Sequence, residues 1–253
     1  MIRLLNSLRL YAVAVVSTVW YAVKIVGATS LRTRNMKQVC WSGPREWCRS
    51  LLWGGGVTVE FEGLEHLDPP RPAVLVANHE SWYDVFALAG HLPVDYRFVG
   101  KKELTRVPFF GPAWLACGHI PIDRSNRRAA IESLRRAGET IRRENAVVVM
   151  FPEGTRSGDG VLLPFKKGAF VLALELGVPV IPVGVSGGRD RMPKGAFLVE
   201  PGRMTVRIGP PIEVEGWTVA DRDRLVAAAH REVQRLKSGL PVASGGPEDS
   251  TEP

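Results

Sequence analysis

Cysteine is scarce in this chain: three in 253 residues, Cys40, Cys48 and Cys117, with no C-x-x-C pair among them. Such spacing argues against a zinc site and against a disulfide framework, and a reducing cytosol suits it best. Long apolar runs are lacking as well. The longest, residues 10–23, offers 14 apolar or small residues. A spanning helix needs about 20, which argues against an ordinary transmembrane segment. Internal repeats are absent, and the basic residues form no recognisable nucleic-acid reader, so no nucleic-acid partner is expected.

What is present suits a sizeable core. At 45% hydrophobic content the chain can form one large α/β domain. Its net charge of +7 is unevenly spread. Residues 1–53 carry eight Lys or Arg against one Glu, and residues 97–143 carry eleven against four acids, so the remainder is net −7. Both basic regions suit anionic partners such as lipid headgroups or phosphorylated substrates. For Arg135, Arg136, Arg142 and Arg143 a solvated helix face is the simpler reading.

The run at 10–23 is flanked by Arg3, Arg9 and Lys24 and contains Trp20 and Tyr21, which suit the headgroup level of a bilayer. It reads as an interfacial or partly inserted anchor. A second helix is expected after Pro44, with Trp47, Leu51, Leu52 and Trp53 as its apolar set. Residues 1–56 then form a membrane-associating helical pair, peripheral or monotopic on the cytoplasmic face of an anionic cell membrane. A buried core helix is one alternative. A cleaved signal peptide with Val26-Gly27-Ala28 as its cleavage site is another.

From residue 57 to 237 strand-like and helical runs alternate. Residues 57–61 alternate apolar and polar, while 73–77, 96–100, 146–151 and 178–185 are nearly continuous apolar runs, as buried parallel strands are. Helices are expected over 126–143, over 169–176 and from the cap Thr218-x-x-Asp221 to Lys237, and a late strand over 204–208. The fold class is therefore α/β, a mostly parallel sheet covered by helices, with ligands at the carboxyl ends of the strands. Residues 238–253, rich in Pro, Gly, Ser and acid, read as a disordered tail.

Asn78-His79-Glu80-Ser81-Trp82-Tyr83-Asp84 follows the apolar run 73–77. Imidazole titrates near neutrality, and a carboxylate on one ring nitrogen frees the other to take a proton from a hydroxyl, so His79 and Asp84 make a general base with its orienter. Ser81-x-x-Asp84 also reads as a helix capping box, and the two readings are compatible. Phe151-Pro152-Glu153-Gly154-Thr155-Arg156-Ser157 closes a later strand. There Gly154 permits close backbone approach, Thr155 and Ser157 offer hydroxyls, and Arg156 supplies a planar fork for phosphate oxygens. Glu153 repels phosphate, so it is expected to accept a substrate hydroxyl or brace a basic neighbour; a plain Gly-rich turn is the structural alternative. Gly118-His119-Ile120-Pro121-Ile122-Asp123-Arg124 offers Arg124 to the ligand, with His119 as a core histidine.

With these blocks in order, followed by Val180-Ile181-Pro182-Val183, residues 57–212 resemble the glycerophospholipid acyltransferase family, which includes bacterial 1-acylglycerol-3-phosphate acyltransferases. The resemblance implies acyl transfer from acyl-CoA or acyl carrier protein to a hydroxyl of a phosphorylated glycerolipid acceptor, in phospholipid biosynthesis. It implies His79 as base, Asp84 as its support, and Arg124, Glu153, Gly154, Thr155 and Arg156 as acceptor-binding groups. Direct attack on the thioester requires no covalent intermediate, no cofactor and no metal. The acceptor, whether 1-acylglycerol 3-phosphate, glycerol 3-phosphate or another lysolipid, stays open, because Glu80 and Tyr83 stand where the family varies. Phe109, Phe110, Trp114 and Leu115 are candidates for an acyl groove, with core packing as the simpler assignment.

Two other classes compete. Gly184-Val185-Ser186-Gly187-Gly188 matches the G-x-S-x-G of α/β-hydrolases, with Asp221 or Asp223 and His230 following in order, but residues 189–195 show no helical period after the serine. A non-catalytic lipid-binding module would need only the basic anchor and the phosphate-like loop.

Overall fold

The computed structural model describes residues 2–123, 125–126, 132–135, 138 and 142–240. Seven strands, β1 (Val57–Glu62), β2 (Ala73–Ala77), β3 (Tyr96–Lys101), β4 (Ile120–Ile122), β5 (Val147–Met150), β6 (Val180–Ser186) and β7 (Gly202–Ile208), form one sheet. Their order is β1-β7-β6-β2-β5-β3-β4. Strands β6, β2, β5, β3 and β4 run parallel, while β7 lies antiparallel to β6 and parallel to β1. The mostly parallel sheet read from the apolar runs is the one observed. Its central strand β2 has no exposed residue, whereas β1, at the edge, alternates buried and exposed positions.

Helices cover both faces: α1 (Ile2–Ser30), α2 (Met36–Gly55), α3 (Trp82–His91), α4 (Phe110–Ala116), α5 (Gly168–Leu176), α6 (Gly188–Arg191) and α7 (Arg222–Lys237). The period of two along β2 sorts its side chains between two cores. Leu75 packs with Leu10, Cys48, Leu52, Tyr83 and Leu88 beneath α1, α2 and α3. Val74 and Val76 pack with Phe170, Ala173, Leu225 and Val233 beneath α5 and α7. Leu10, Cys48, Leu51 and Leu52 of the amino-terminal helices thus share a core with the sheet.

The amino-terminal helices depart from expectation in two ways. Helix α1 runs 29 residues, not 14, and Arg3–Ser30 is long and apolar enough by length and composition to cross a membrane. Apolar periodicity continues past Lys24 through Ile25 and Val26, so counting an uninterrupted run undersized the helix. Helix α2 begins at Met36 and carries Pro44 inside it instead of starting after it. An interior proline removes one backbone hydrogen bond, and the tertiary contacts of α2 offset that loss.

Helix α1 is fastened to α2 by Trp47 Nε1 donating to Thr18 Oγ1 at 2.9 Å and by Arg9 Nε donating to the Gly54 carbonyl at 2.9 Å. Its outer face is apolar and open: Leu4, Leu8, Val15, Val16 and Trp20 are each more than half exposed, as is Trp53 of α2.

Cysteine usage was misread. Cys40 and Cys117 are disulfide-bonded across 77 residues, tying α2 to the end of α4, and only Cys48 is a free thiol. The pair meets because α4 packs against α1 through Ala22, Ile25 and Ala113, a long-range contact that spacing along the chain does not report. Burial raises the Cys48 thiol well above its ordinary value. Most of the helix expected over 126–143 lies outside the described residues, although 132–135 and 142–144 are helical. Residues 241–253 also lie outside them.

Candidate active site

Register decides which loops meet. Val76 pairs with Met150 on β5, and Ala77 with Val183 on β6, so the chain leaves β2 at Asn78 beside the points where it leaves β5 at Phe151 and β6 after Ser186. These are carboxyl ends of parallel strands, where ligands bind in open α/β sheets. Asn78, almost fully buried, continues the pairing with its side chain: Oδ1 accepts the Val185 N–H at 2.7 Å and Nδ2 donates to the Val185 carbonyl at 2.8 Å.

The next residue is His79, the histidine singled out in the sequence. His79 Nδ1 lies 3.0 Å from Asp84 Oδ2, and that same oxygen accepts the backbone N–H groups of Glu80 at 2.6 Å and Ser81 at 2.7 Å. Asp84 is 1% exposed. An ionised carboxylate only accepts, so Nδ1 carries the proton and Nε2 is left with its lone pair. Ser81 caps α3 and Asp84 closes the capping box, so the cap and the contact with the His79 ring are made by one carboxylate. Phe151 stacks on the imidazole with ring centroids 4.1 Å apart. Behind Asp84 the backbone of Gly188 comes so close that a Cβ there would lie 2.1 Å from Oδ1.

Glu153 sits behind this turn, 3% exposed. Its Oε1 accepts the His79 N–H at 2.6 Å and its Oε2 the Leu163 N–H at 2.9 Å, so both oxygens serve the backbone of the site. Burial pushes its carboxyl up to about 7, against the pull of those two N–H groups. It holds main-chain N–H groups, where the sequence reading had it meet a substrate hydroxyl or a basic neighbour. The Ser157 N–H donates to the His79 carbonyl at 2.8 Å, which binds the third block to the first. Glu80 pairs with Lys237 at the end of α7 at 2.6 Å, and burial raises its carboxyl despite that cation.

In front of the imidazole opens a cavity of about 350 Å³. It is lined by His79, Gly154, Thr155, Arg156 and Lys194 and by Trp47, Phe86, Phe98, Phe110 and Trp114. Its lining is largely apolar and carries the cations Lys101, Arg156 and Lys194. The Arg156 guanidinium rests 5.3 Å from the centre of the Trp82 ring. Gly154, at φ +72°, adopts a conformation that favours glycine, and a Cβ there would strike the Lys166 side chain. Of the groove candidates Phe110 and Trp114 line the cavity, while Phe109 and Leu115 point outward and are exposed. Arg124 lies outside the described residues. Its neighbour Asp123 pairs with Lys102 at 2.6 Å, which with the Ser125 bonds holds the carboxyl down at about 2. His119 is a core histidine: its Nδ1 accepts the Phe98 N–H at 3.0 Å, and burial lowers it to about 3.

Residues 58–186 match the family model for acyltransferases. The chain belongs to the acyltransferase family. It is 41% identical over 180 residues to a 1-acyl-sn-glycerol-3-phosphate acyltransferase of Limnanthes alba, covering 71% of this chain and 63% of that one. To the enzyme of the same name from Pseudomonas aeruginosa it is 36% identical over 177 residues, covering 68% and 67%. The chain thus spans under two thirds of the plant relative's length. Among solved structures, the 1-acyl-sn-glycerophosphate acyltransferase PlsC of Thermotoga maritima superposes with a TM-score of 0.78 at 26% identity, covering 94% of this chain and 97% of that one.

Within this acyltransferase fold the hydrolase reading finds no triad. One helical turn, α6, does follow Ser186, contrary to the sequence reading, but it ends before Pro193 and spans four residues. Asp221 caps its own turn with Thr218, Asp223 pairs with Lys167 at 2.7 Å, and His230 packs against Phe165. Sequence reasoning overlooked Lys194, Lys237 and the role of Gly188. Only the Gly187-Gly188 pair carried a local signal, that of close backbone approach.

Proposed function

We propose that the chain transfers a fatty acyl group from acyl-CoA or acyl carrier protein to the free hydroxyl of 1-acylglycerol 3-phosphate. The observation that carries this reading is an imidazole held against a buried acid, on a largely apolar cavity that also presents Arg156 and Lys194. His79 Nε2 takes the acceptor hydroxyl's proton as the oxygen attacks the thioester carbonyl carbon. Collapse of the tetrahedral adduct breaks the carbon–sulfur bond, and the imidazolium returns the proton to the departing thiolate. General acid-base help of this kind is worth about 10²- to 10⁴-fold, with positioning supplying much of the remainder. Arg156 and Thr155 hold the acceptor phosphate, and Arg124 is proposed to join them. The acyl chain occupies the cavity lined by Trp47, Phe98, Phe110 and Trp114.

The open apolar face of α1, with Trp53 beside it, rests on the cytoplasmic surface of an anionic membrane, so both lipids reach the site from the bilayer. Incubating purified protein with lysophosphatidate, glycerol 3-phosphate and other lysolipids, with labelled acyl-CoA or acyl carrier protein, tests the reading. Mass spectrometry then locates the acyl group. Acylation of lysophosphatidate on its free hydroxyl is expected, and failure with every acceptor and both donors overturns the proposal.

A further inference from the structure

We infer that Lys194 is a second cation of the acceptor site and selects a phosphate monoester over a phosphate diester; the inference rests on the acyl-transfer reading of the same cavity. Lys194 Nζ donates to Thr155 Oγ1 at 3.3 Å and to the Arg156 carbonyl at 3.1 Å. Both acceptors are neutral. Lys102, Lys167 and Lys237 each pair with an acid, whereas no acid among the described residues forms an ion pair with Lys194 or with Lys101 on the same cavity. The Lys194 charge is therefore left for something that enters the cavity, which it lines together with His79, Thr155 and Arg156.

Although exposed, Lys194 does not hang on a loose loop. The segment carrying it is anchored on one side where the Ser81 hydroxyl donates to the Met192 carbonyl at 2.7 Å. On the other side the Val199 N–H donates to Ser7 Oγ at 2.9 Å and the Tyr11 hydroxyl to the Phe197 carbonyl at 2.5 Å. One anchor is the cap of the catalytic helix and the other is α1. The ammonium is thus set against the loop whose Glu153 and Ser157 hold the His79 backbone.

A phosphate monoester carries about −1.5 to −2 charge at pH 7 and three terminal oxygens. A diester keeps one charge and two. The guanidinium of Arg156 forks onto two oxygens, and the compact Lys194 ammonium neutralises the additional charge only a monoester brings. Removing Lys194 therefore penalises the monoester selectively.

The test compares wild type, Lys194→Met and Lys194→Arg in mixed micelles with one acyl donor, using lysophosphatidate and lysophosphatidylglycerol as acceptors. Where the diester is not acylated, the competitive inhibition constants of an alkyl phosphate and of its methyl diester replace the two rates. Lys194→Met should lower kcat/KM for the monoester, or raise its inhibition constant, about tenfold or more, the scale of one charge-assisted hydrogen bond. The diester should change less than about threefold, and Lys194→Arg should restore most of the difference. Equal loss on both ligands, the mark of a merely structural lysine, overturns the inference, as does no change on either. A wild type that acylates lysophosphatidate alongside an unaffected Lys194→Met sinks this inference alone. A wild type that acylates no phosphorylated acceptor sinks the functional reading with it.

Discussion

Asp84 Oδ2 binds the His79 ring and the backbone at the start of α3 at once, so the acid beside the proposed base is itself held by main-chain N–H groups. Replacing Asp84 with Asn keeps an oxygen for the cap but removes the charge that stabilises the imidazolium. We expect kcat to fall about 10²- to 10⁴-fold with little change in Tm, and His79→Ala to fall at least as far. Asp84→Ala should in addition cost about 1 kcal/mol of stability through the lost cap. Steady-state rates and thermal melts on the three variants separate these effects. Near-wild-type rates in Asp84→Asn would refute the pairing.

Gly188→Ala should behave as a catalytic lesion without touching substrate. The added methyl would need the space of Asp84 Oδ1, 2.1 Å away, so the carboxylate must shift and the imidazole with it. A displacement of about 1 Å at a reacting group costs on the order of 10²-fold. The expected signature is a loss in kcat at nearly unchanged KM, and full activity in this variant contradicts the geometry.

Burial raises Glu153 to about 7 from an ordinary 4.5. Between those values the folded protein holds a proton that the unfolded chain releases, so this group makes the fold less stable as pH rises from about 4.5 to about 7. Below and above that window its contribution is flat. The full effect is on the order of 3 kcal/mol. Denaturant titrations of wild type and Glu153→Gln at pH 5 and pH 8 isolate it: the variant should gain relative to wild type at the higher pH. The opposite sign would refute a raised carboxyl.

The Cys40–Cys117 bond closes a long loop, and loop-closure entropy for 77 residues is worth about 4 kcal/mol. Alkylation of the unfolded, unreduced protein should modify Cys48 alone, and reduction should expose all three thiols. A reductant should lower Tm by several degrees. Three reactive thiols without reduction would remove the bond from consideration.

How much of this was legible in the residues follows a physical line. Buried strands announce themselves because a parallel sheet covered on both faces needs continuous apolar runs, and 73–77, 96–100 and 178–185 mark β2, β3 and β6. His79 and Asp84 were readable because five positions bring them together within one turn. Whatever depends on distant chain meeting distant chain was not: Cys40 with Cys117, Lys237 with Glu80, Lys194 with Thr155. Pro44 misled because proline more often opens a helix than sits inside one. The backbone-holding place of Glu153 was not legible, since both N–H groups it serves lie in other segments.

The bond from Val199 to Ser7 joins residues 192 positions apart. At about 5 to 20 residues per second, the ribosome completes that partner some 10 to 40 seconds after Ser7 is made. Throughout that interval the greasy first helix has no late-arriving segment to grip, and a lipid surface or a chaperone must shield it meanwhile.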